Sequence, residues 1–251
     1  MQLTVLGSGT FQPTPERGCS GYLIEIGEKK ILLDTGSGVL RQLSKVNLFV
    51  ENIDIIVVTH LHIDHTGDLA PLLFAKHNIV KNNKRDLSLL GPPGFKKFFS
   101  LLNVVYKGSI KPEDYVLNVQ EYNENSLNFK DFSITFLPVM HTEDSYGVRI
   151  EDNDGRTIAY SGDTDYCDNL ITLCRKSDVA VIECSFQDDQ KLSGHMTPSE
   201  VGKAAHLAEC KRVLLTHIYP IADVKKLLSS CSLYYHGTIG IAEELKTMTI
   251  G

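Results

Sequence analysis

The chain contains 251 residues, of which 42% are apolar, and its 25 basic and 31 acidic side chains give a formal net charge of -6. This composition is typical of a folded globular protein and excludes intrinsic disorder, collagen and a coiled coil. No apolar run approaches the ~18–20 residues of a membrane-spanning helix. The N-terminal residues lack the basic and apolar regions of a secretory signal. We therefore expect a cytoplasmic protein without a membrane partner.

The cysteines and the net charge narrow the class of protein further. Six scattered cysteines without a C-x-x-C pair predict free, buried thiols rather than disulfides. The net acidity disfavours extended, sequence-independent binding of nucleic acid, which usually needs a basic surface. A local phosphate-binding site is compatible with this charge.

Short apolar runs alternate with helical patterns along the chain. The runs predict strands over residues 3–6, 22–26, 30–33, 53–58, 88–90, 115–122, 132–139, 146–151, 156–160, 179–182 and 213–216. Helical spacing predicts helices over residues 39–46, 68–77 and 93–106. The segment N-D-G over residues 153–155 predicts a hairpin turn. Both halves run from strands into helix-strand alternation, which predicts a mixed α/β (α+β) fold in one domain over residues 1–251, with two packed sheets flanked by helices.

The strongest chemical signal follows the predicted strand 53–58. The segment T-H-L-H-I-D-H over residues 59–65 brings His60, His62 and His65 and the Asp64 carboxylate within six residues. Residues two apart in an extended turn project to the same side, so His60 and His62 can share one metal while Asp64 and His65 reach a second. Imidazole and carboxylate groups suit zinc, iron(II) or manganese. A polar loop of merely exposed histidines is the weaker interpretation, because four such side chains have no packing reason to lie together.

This motif resembles that of the metallo-β-lactamase superfamily, whose fold is a four-layer αββα sandwich with a dinuclear metal site between the sheets. Residues of the types expected for the family's other ligands follow predicted strands at His141, Asp163 and His217. The resemblance implies one metal held by His60, His62 and His141. It implies a second held by Asp64, His65 and His217, with Asp163 as the bridge. Two divalent ions are thus expected, zinc first with manganese or iron compatible, and Asp64 is also assigned a catalytic role.

The charge of such a site constrains the substrate. Five neutral histidines and two aspartates around two divalent cations leave about +2, and a bridging hydroxide lowers this to about +1. That charge complements a phosphodiester monoanion. Two metals about 3.5–4 Å apart can activate the hydroxide and hold phosphoryl oxygens during in-line displacement. Thioesters and lactams remain compatible with the same site.

A second motif narrows the family resemblance. The segment S-G-H-M-T-P-S-E over residues 193–200 predicts a helix with Thr197 as N-cap, Pro198 at the first position and Glu200 as the capping-box partner. Alone, His195 would be a loop residue ahead of this helix. Beside the seven ligand positions, it resembles the histidine of ribonuclease Z-like phosphodiesterases that assists the leaving group, which implies a catalytic His195.

Three further residues have candidate roles, and each also has a simpler structural explanation. Asp34 could accept a hydrogen bond from a ligating imidazole, or only shape a turn at a strand end. Asp68 could do the same, or interact favourably with a helix N-terminus. Arg17 lies in a loop that resembles a recognition loop of ribonuclease Z, and could bind a substrate phosphate or lie in solvent. Gly18 stands where that family usually has asparagine, and the preceding lysine is missing, which weakens the expectation of terminal-nucleotide recognition.

The spacing of two ligand positions departs from ribonuclease Z. That enzyme carries a long transfer-RNA-binding arm between its third and fourth ligand motifs. Here His141 and Asp163 are 22 residues apart, which leaves room for a hairpin and not for an arm. Together with the acidic net charge, this spacing favours a small or cyclic phosphodiester as the substrate and makes RNA the less favoured partner.

The sequence thus predicts a dinuclear metal-dependent phosphodiesterase whose metal-bridging hydroxide attacks phosphorus. The first competing hypothesis is a transfer-RNA 3′ processing endonuclease (ribonuclease Z). A thioester or sulfate-ester hydrolase is also compatible with the motifs, whereas seven filled ligand positions count against a non-catalytic metal-binding scaffold. The 34 residues after His217 are too few for the extra helical domain of a glyoxalase II-like enzyme. A homodimer is compatible with the resemblance, although the sequence identifies no interface.

Overall fold

The strands form two sheets in a computed structural model that describes residues 1–78, 85–122 and 125–251. In chain order the strands are β1 (Gln2–Gly7), β2 (Gly21–Ile26), β3 (Lys29–Leu33), β4 (Ile55–Val57), β5 (Leu87–Gly91), β6 (Leu117–Glu121), β7 (Ser126–Asn128), β8 (Phe132–Pro138), β9 (Tyr146–Asp152), β10 (Thr157–Tyr160), β11 (Val179–Glu183), β12 (Arg212–Thr216), β13 (Thr238–Ile241) and β14 (Thr247–Thr249). The sheet orders are β14-β1-β2-β3-β4-β5-β6 and β13-β12-β11-β10-β9-β8-β7.

The helices lie mainly between strands of the parallel halves of the sheets. In chain order they are α1 (Val39–Lys45), α2 (Ile63–Thr66), α3 (Leu69–Asn78), α4 (Phe95–Val105), α5 (Asp168–Cys174), α6 (Pro198–Leu207) and α7 (Val224–Ser232). Short 3-10 turns cover Val50–Asn52 and Asp188–Gln190. No helix in the described parts of the chain is long and apolar enough to cross a membrane.

Each sheet combines an antiparallel half with a parallel half. Strands β1 to β3 pair antiparallel and β3 to β6 pair parallel. In the second sheet β7 to β10 pair antiparallel and β10 to β13 pair parallel. Strands β4 and β11 are buried along their whole length, as expected for parallel strands covered on both faces. Parallel strands end at a common edge, so the loops after them can meet there.

Three apolar clusters fill the spaces between the layers. Ile24 of the first sheet and Phe136 of the second belong to the cluster between the sheets. Leu43 of α1 and Phe95 of α4 pack on the outer face of the first sheet. Leu227 of α7 packs on the outer face of the second sheet. The layers therefore run helix, sheet, sheet, helix, which confirms the predicted four-layer αββα sandwich.

Two local predictions are confirmed, and the strand that leads into the H-x-H-x-D-H segment is shorter than expected. Strands β9 and β10 form the predicted hairpin, in which Gly155 adopts the left-handed φ of 76° that favours glycine. This hairpin fills the span between His141 and Asp163, all of which the structure describes. The strand predicted over residues 53–58 covers only Ile55–Val57, because Val50–Asn52 forms a 3-10 turn that ends at Ile53. The six cysteines are free thiols, as expected.

The predicted capping box at the start of α6 is present. The backbone N–H of Thr197 donates to Glu200 Oε2 at 2.9 Å, and Pro198 occupies the first helical turn. Since an N-cap side chain satisfies an otherwise unpaired N–H group, Thr197→Ala is expected to lower the free energy of unfolding by about 0.5–2 kcal/mol. Urea denaturation would measure this change in the free energy of unfolding. The matched variant Ser44→Ala, at an exposed serine inside α1, should change it by less than about 0.5 kcal/mol; equal effects would contradict a capping contribution.

Candidate metal centre

The H-x-H-x-D-H segment turns from extended backbone into a helix directly after β4. His62 has extended dihedrals, φ -62° and ψ 151°, and is the N-cap residue of α2, whereas Asp64 and His65 lie within α2. This change of conformation divides the four side chains into two groups. His60 and His62 belong to one group of potential ligands, and Asp64 and His65 belong to another.

The second sheet brings three more side chains to the same place. His141 follows β8, Asp163 follows β10 and His217 follows β12. His141 and Asp163 join His60 and His62, and His217 joins Asp64 and His65, with the ligand atoms of each group within 4.8 Å of one another. The structure therefore brings together all seven residues that the sequence predicted as ligands.

Asp163 lies between the two groups. Its Oδ1 is 3.2 Å from His65 Nε2, and its Oδ2 is 3.2 Å from His217 Nε2. The same Oδ2 lies 3.8 Å from His60 Nε2 and 3.9 Å from His141 Nε2. A carboxylate in this position can reach a cation in either group, as a bridging ligand must.

Several buried polar atoms of this cluster lack hydrogen-bond partners in the described parts of the chain, which indicates whether a metal ion fits among them. Among the described residues, four buried atoms of this cluster have no hydrogen-bond partner: His60 Nε2, His65 Nε2, His217 Nε2 and Asp163 Oδ1. A buried polar atom without a partner is costly, and such atoms are rare in native proteins. Nitrogen and oxygen atoms of this kind are the donors that zinc and related ions accept. The cluster therefore fits divalent cations.

In four of these imidazoles, the Nδ1 atom contacts another group of the protein. His65 Nδ1 lies 2.7 Å from Asp34 Oδ2, and His60 Nδ1 lies 3.1 Å from Thr59 Oγ1. His141 Nδ1 lies 2.9 Å from the carbonyl oxygen of Gly194. His217 Nδ1 lies 3.1 Å from Ser185 Oγ. Contacts of this kind fix the ring orientation. Within the part of the chain that the structure describes, they leave Nε2 without a hydrogen-bond partner in His60, His65 and His217, whereas His141 Nε2 lies 3.1 Å from His62 Nδ1.

Asp34 lies beside the imidazole of a candidate ligand, where the sequence suggested a hydrogen bond. Besides His65, the buried carboxylate accepts hydrogen bonds from the Thr59 N–H at 2.8 Å and from the Tyr160 hydroxyl at 2.8 Å. Asp34 and His217 adopt left-handed φ values of 58° and 52°. Such backbone is uncommon outside glycine, although aspartate and histidine adopt it more readily than most residues.

Replacing Asp34 by asparagine tests this contact. The neutral amide removes the negative charge that polarises His65, so Asp34→Asn is expected to weaken metal binding about 10–100-fold. Titration of the metal-free protein against a competing chelator would measure the change. Asp54→Asn is the matched control, because Asp54 is also buried but accepts from Lys29, Lys30 and Arg85. Equal affinities in the two variants would contradict a role for Asp34 at the centre.

Burial and neighbouring charges set the protonation of the cluster. Burial lowers the pKa of His60 well below its usual value, and the adjacent His65 lowers it further. Burial acts to raise the pKa of Asp163, but His217 and His65 lower it more, and the result lies well below the usual value. Burial acts to lower the pKa of His65, but Asp163 and Asp34 raise it well above its usual value. Imidazole binds a metal in its neutral form, so metal binding at His65 is expected to compete with protons.

His195 lies at the edge of the same cluster. Its ring centroid is 4.8 Å from that of His141 and 5.5 Å from that of His217. Together with Asp163 and His217 it forms a third group whose potential ligand atoms lie within 4.8 Å of one another. The structure therefore brings His195 within reach of anything bound between the two metal groups.

Glu183 is a residue of the site that the sequence reasoning missed. This buried carboxylate ends β11 and lies 3.0 Å from His195 Nδ1. It also accepts hydrogen bonds from the N–H groups of Thr164, at 2.6 Å, and Met196, at 3.1 Å. Burial acts to lower the pKa of His195, but Glu183 raises it more, so the pKa lies above its usual value. An acidic residue at the end of an otherwise apolar buried strand was the available signal.

Arg17 and Asp68 make contacts away from the metal ligands. Arg17 Nη1 donates to Ser8 Oγ at 2.7 Å and to the carbonyl oxygen of Ala242 at 2.9 Å, which ties the N-terminal loop to the segment after β13. Its role in phosphate binding stays a prediction. Asp68 Oδ2 accepts from the N–H groups of Gly38 and Leu40 at the start of α1, which favours a helix-terminus role over support of an imidazole.

Comparisons with known proteins agree with this architecture and site. A family model described as the beta-lactamase superfamily domain matches residues 29–218. The probable metallo-hydrolase YhfI of Bacillus subtilis is 31% identical over 249 residues, which cover 97% of each chain. The crystal structure of that metallo-β-lactamase fold protein superposes with a TM-score of 0.85 at 28% identity, covering 99% of both chains. The short form of human tRNase Z superposes with a TM-score of 0.81 at 25% identity, covering 100% of both chains. The chain belongs to the metallo-β-lactamase superfamily.

Proposed function

We propose that this protein is a dinuclear metal-dependent phosphodiesterase that hydrolyses small or cyclic phosphodiesters. The observation that carries the proposal is the convergence of five histidines and two aspartates, with buried Nε2 atoms left unpaired around Asp163. Two such groups around one carboxylate match the ligand needs of two adjacent divalent ions. The kinship with tRNase Z supports a phosphodiester rather than another ester.

The two groups of ligands would hold two ions. His60, His62 and His141 would bind one, Asp64, His65 and His217 would bind the other, and Asp163 would contact both. Bound zinc, or manganese or iron in its place, supplies positive charge for phosphoryl oxygens and activates the attacking water. Asp64 Oδ2 lies 3.5 Å from His217 Nε2, so its negative charge also helps to balance the cationic centre.

His195 would assist the leaving group. Glu183 holds its Nδ1, which leaves Nε2 as the nitrogen free to act on a substrate. Glu183 raises the pKa of His195 above its usual value, which favours the protonated imidazole. A positioned imidazolium can donate that proton to the departing oxygen, and general-acid catalysis of this kind contributes about 10²–10⁴-fold.

The hairpin between the third and fourth ligand positions supports a small substrate. Residues 141–163 contain β9, β10 and their turn, and thus hold no arm for gripping a transfer RNA. The net charge of -6 also opposes the binding of a long polyanion. The likeness to tRNase Z favours RNA 3′ processing as the second candidate, because the two chains share the whole fold.

Hydrolysis of bis(p-nitrophenyl) phosphate by protein of known metal content tests the proposal. We expect turnover that disappears with a chelator and returns with zinc or manganese. 2′,3′-Cyclic and 3′,5′-cyclic nucleotides and a precursor transfer RNA then separate the two candidates, since the first proposal requires the cyclic compounds to be cleaved faster. Fully metallated protein that cleaves a thioester or a sulfate ester but no phosphodiester would overturn it.

A further inference from the structure

Three aromatic side chains from three separate loops lie in mutual contact near the carboxyl edge of the sheets. The ring of Phe11 meets that of Tyr219 edge-on, with centroids 5.7 Å apart and planes at 80°. The ring of Tyr219 stacks on that of Phe186, with centroids 4.4 Å apart and planes at 29°. Phe11 lies in the loop after β1, Phe186 after β11 and Tyr219 after β12. We call these three rings the aromatic cluster.

The aromatic cluster borders the proposed metal centre. The centroid of Tyr219 lies 5.8 Å from that of His217 and 6.1 Å from that of His195. The centroid of Phe186 lies 6.3 Å from that of His195. A substrate with its phosphate at the metal ligands would therefore carry its next group over or beside these rings.

The cluster is open to solvent at Phe11. Phe11 is 60% exposed, whereas Phe186 is only 9% exposed, so the cluster is anchored in the protein at one end and free at the other. A single exposed phenylalanine is ordinary in a protein surface. Phe11 differs because its ring contacts Tyr219 edge-on, at the outer end of a chain of rings that reaches a candidate active site.

Hydrogen bonds hold the loop that carries Phe11. Arg17 Nη1 donates to Ser8 Oγ and to the carbonyl oxygen of Ala242, at 2.7 Å and 2.9 Å. The Gly9 N–H donates to the carbonyl oxygen of Gly18 at 2.8 Å, which closes the base of the loop. A loop held in this way loses little conformational entropy when a ligand stacks on it, which favours binding.

We propose that the aromatic cluster is a stacking surface for a nucleobase, so that the substrate is a phosphodiester of a mononucleotide. The catalytic part of this inference rests on the proposed function, whereas binding of the base does not. Aromatic rings beside a phosphate-binding centre are the usual means of holding a base, and every base offers a π-face. We therefore expect little preference among bases. The missing arm and the acidic charge select a mononucleotide over an RNA chain.

A fluorescence experiment tests base stacking without any turnover. The chain contains no tryptophan, so Phe11→Trp places one reporter in the cluster. We expect adenosine 5′-monophosphate to quench it with saturation and ribose 5-phosphate, which lacks a base, to leave it unchanged. Phe49→Trp is the control, because Phe49 is 55% exposed and precedes the amino end of β4. Equal responses to the two ligands, or no response, would overturn the stacking surface.

Kinetics of two esters with the same leaving group provide the second test. Thymidine 5′-(p-nitrophenyl phosphate) carries a base and methyl p-nitrophenyl phosphate does not. Phe11→Ala and Phe11→Leu should lower the ratio of kcat/KM for the thymidine ester to kcat/KM for the methyl ester about 5- to 150-fold. This range corresponds to about 1–3 kcal/mol per stacked base, at about 1.4 kcal/mol per tenfold change. Phe11→Tyr should preserve the ratio, as should Phe49→Ala. An unchanged ratio in the Phe11→Ala and Phe11→Leu variants would contradict the proposal.

The two tests also separate the two proposals. If metallated wild-type protein cleaves neither ester, the phosphodiesterase proposal fails, and the fluorescence of Phe11→Trp still decides whether a base stacks. If a single-stranded oligonucleotide quenches that variant and the mononucleotide does not, the surface serves an RNA end and the mononucleotide assignment is wrong.

Discussion

Replacement of Asp163 by asparagine is expected to remove metal from the protein and to abolish phosphodiester turnover. The carboxylate lies 3.2 Å from both His65 Nε2 and His217 Nε2 and within reach of His60 and His141. A neutral amide cannot balance two cations. Loss of a residue that only hydrogen-bonds a metal ligand already lowers metal affinity or activity about 10–100-fold. Loss of the central carboxylate should therefore lower kcat/KM by at least about 10²-fold.

Elemental analysis and the turnover of bis(p-nitrophenyl) phosphate would be measured on the same samples. Asp152→Asn is the matched control, because Asp152 is also buried at a strand end but pairs with Arg156 at 2.7 Å, away from the cluster. We expect two metals per chain in that variant and fewer than two in Asp163→Asn. Full metal content and normal turnover in Asp163→Asn would show that the metal assignment is wrong.

The second large loss of turnover is expected for His195→Ala, and the size of the loss in kcat should depend on the leaving group of the substrate. An alkoxide leaves only with a proton, so the variant should lose about 10²–10⁴-fold in kcat on a substrate with an alkyl leaving group. The p-nitrophenolate ion is a far weaker base and needs little protonation. The loss on bis(p-nitrophenyl) phosphate should therefore be much smaller. A series of aryl and alkyl phosphodiesters would measure this difference.

Metal content distinguishes this role from ligation. His195 also belongs to a group of potential ligands with Asp163 and His217. A general acid can be removed without loss of metal, so His195→Ala should retain both ions. Glu183→Gln should show the same dependence on the leaving group in weaker form, because it removes the negative charge beside His195 Nδ1 without removing the imidazole ring. Equal losses for all leaving groups, with metal lost, would assign His195 to the ligands instead.

The layers and the grouping of the candidate ligand residues could be predicted because their signals are local in sequence. Strand β4 is a continuous apolar run, and the four chemical side chains from His60 to His65 follow it within one short segment. The capping box of α6 is likewise encoded within four residues, Thr197 to Glu200. His141, Asp163 and His217 each follow a strand, which made them recognisable once the first motif was known. Their grouping in the structure agrees with the prediction, while their roles as ligands stay part of the proposal.

Apart from Asp34, the residues that support the candidate ligands could not be predicted, because their partners are distant in sequence. Glu183 reaches His195 across 12 positions, and Tyr160 reaches Asp34 across 126. The aromatic cluster joins loops that are far apart in the chain, with Phe11 against Tyr219. Strand β7 has only three residues and lacks a periodic pattern long enough to identify it. The single domain, the cytoplasmic location and the homodimer stay predictions.

The division of the ligands between two sheets has a consequence for folding. His60, His62, Asp64 and His65 follow a strand of the first sheet, whereas His141, Asp163 and His217 follow strands of the second. An ion held by both sets would bind only when the sheets are packed together, so its binding energy would add to their association. At a free metal concentration of about 100 times Kd, one such site contributes about 2.7 kcal/mol to the free energy of unfolding. Metal supply would thus set the cooperativity with which the two halves of this chain fold, as well as its chemistry.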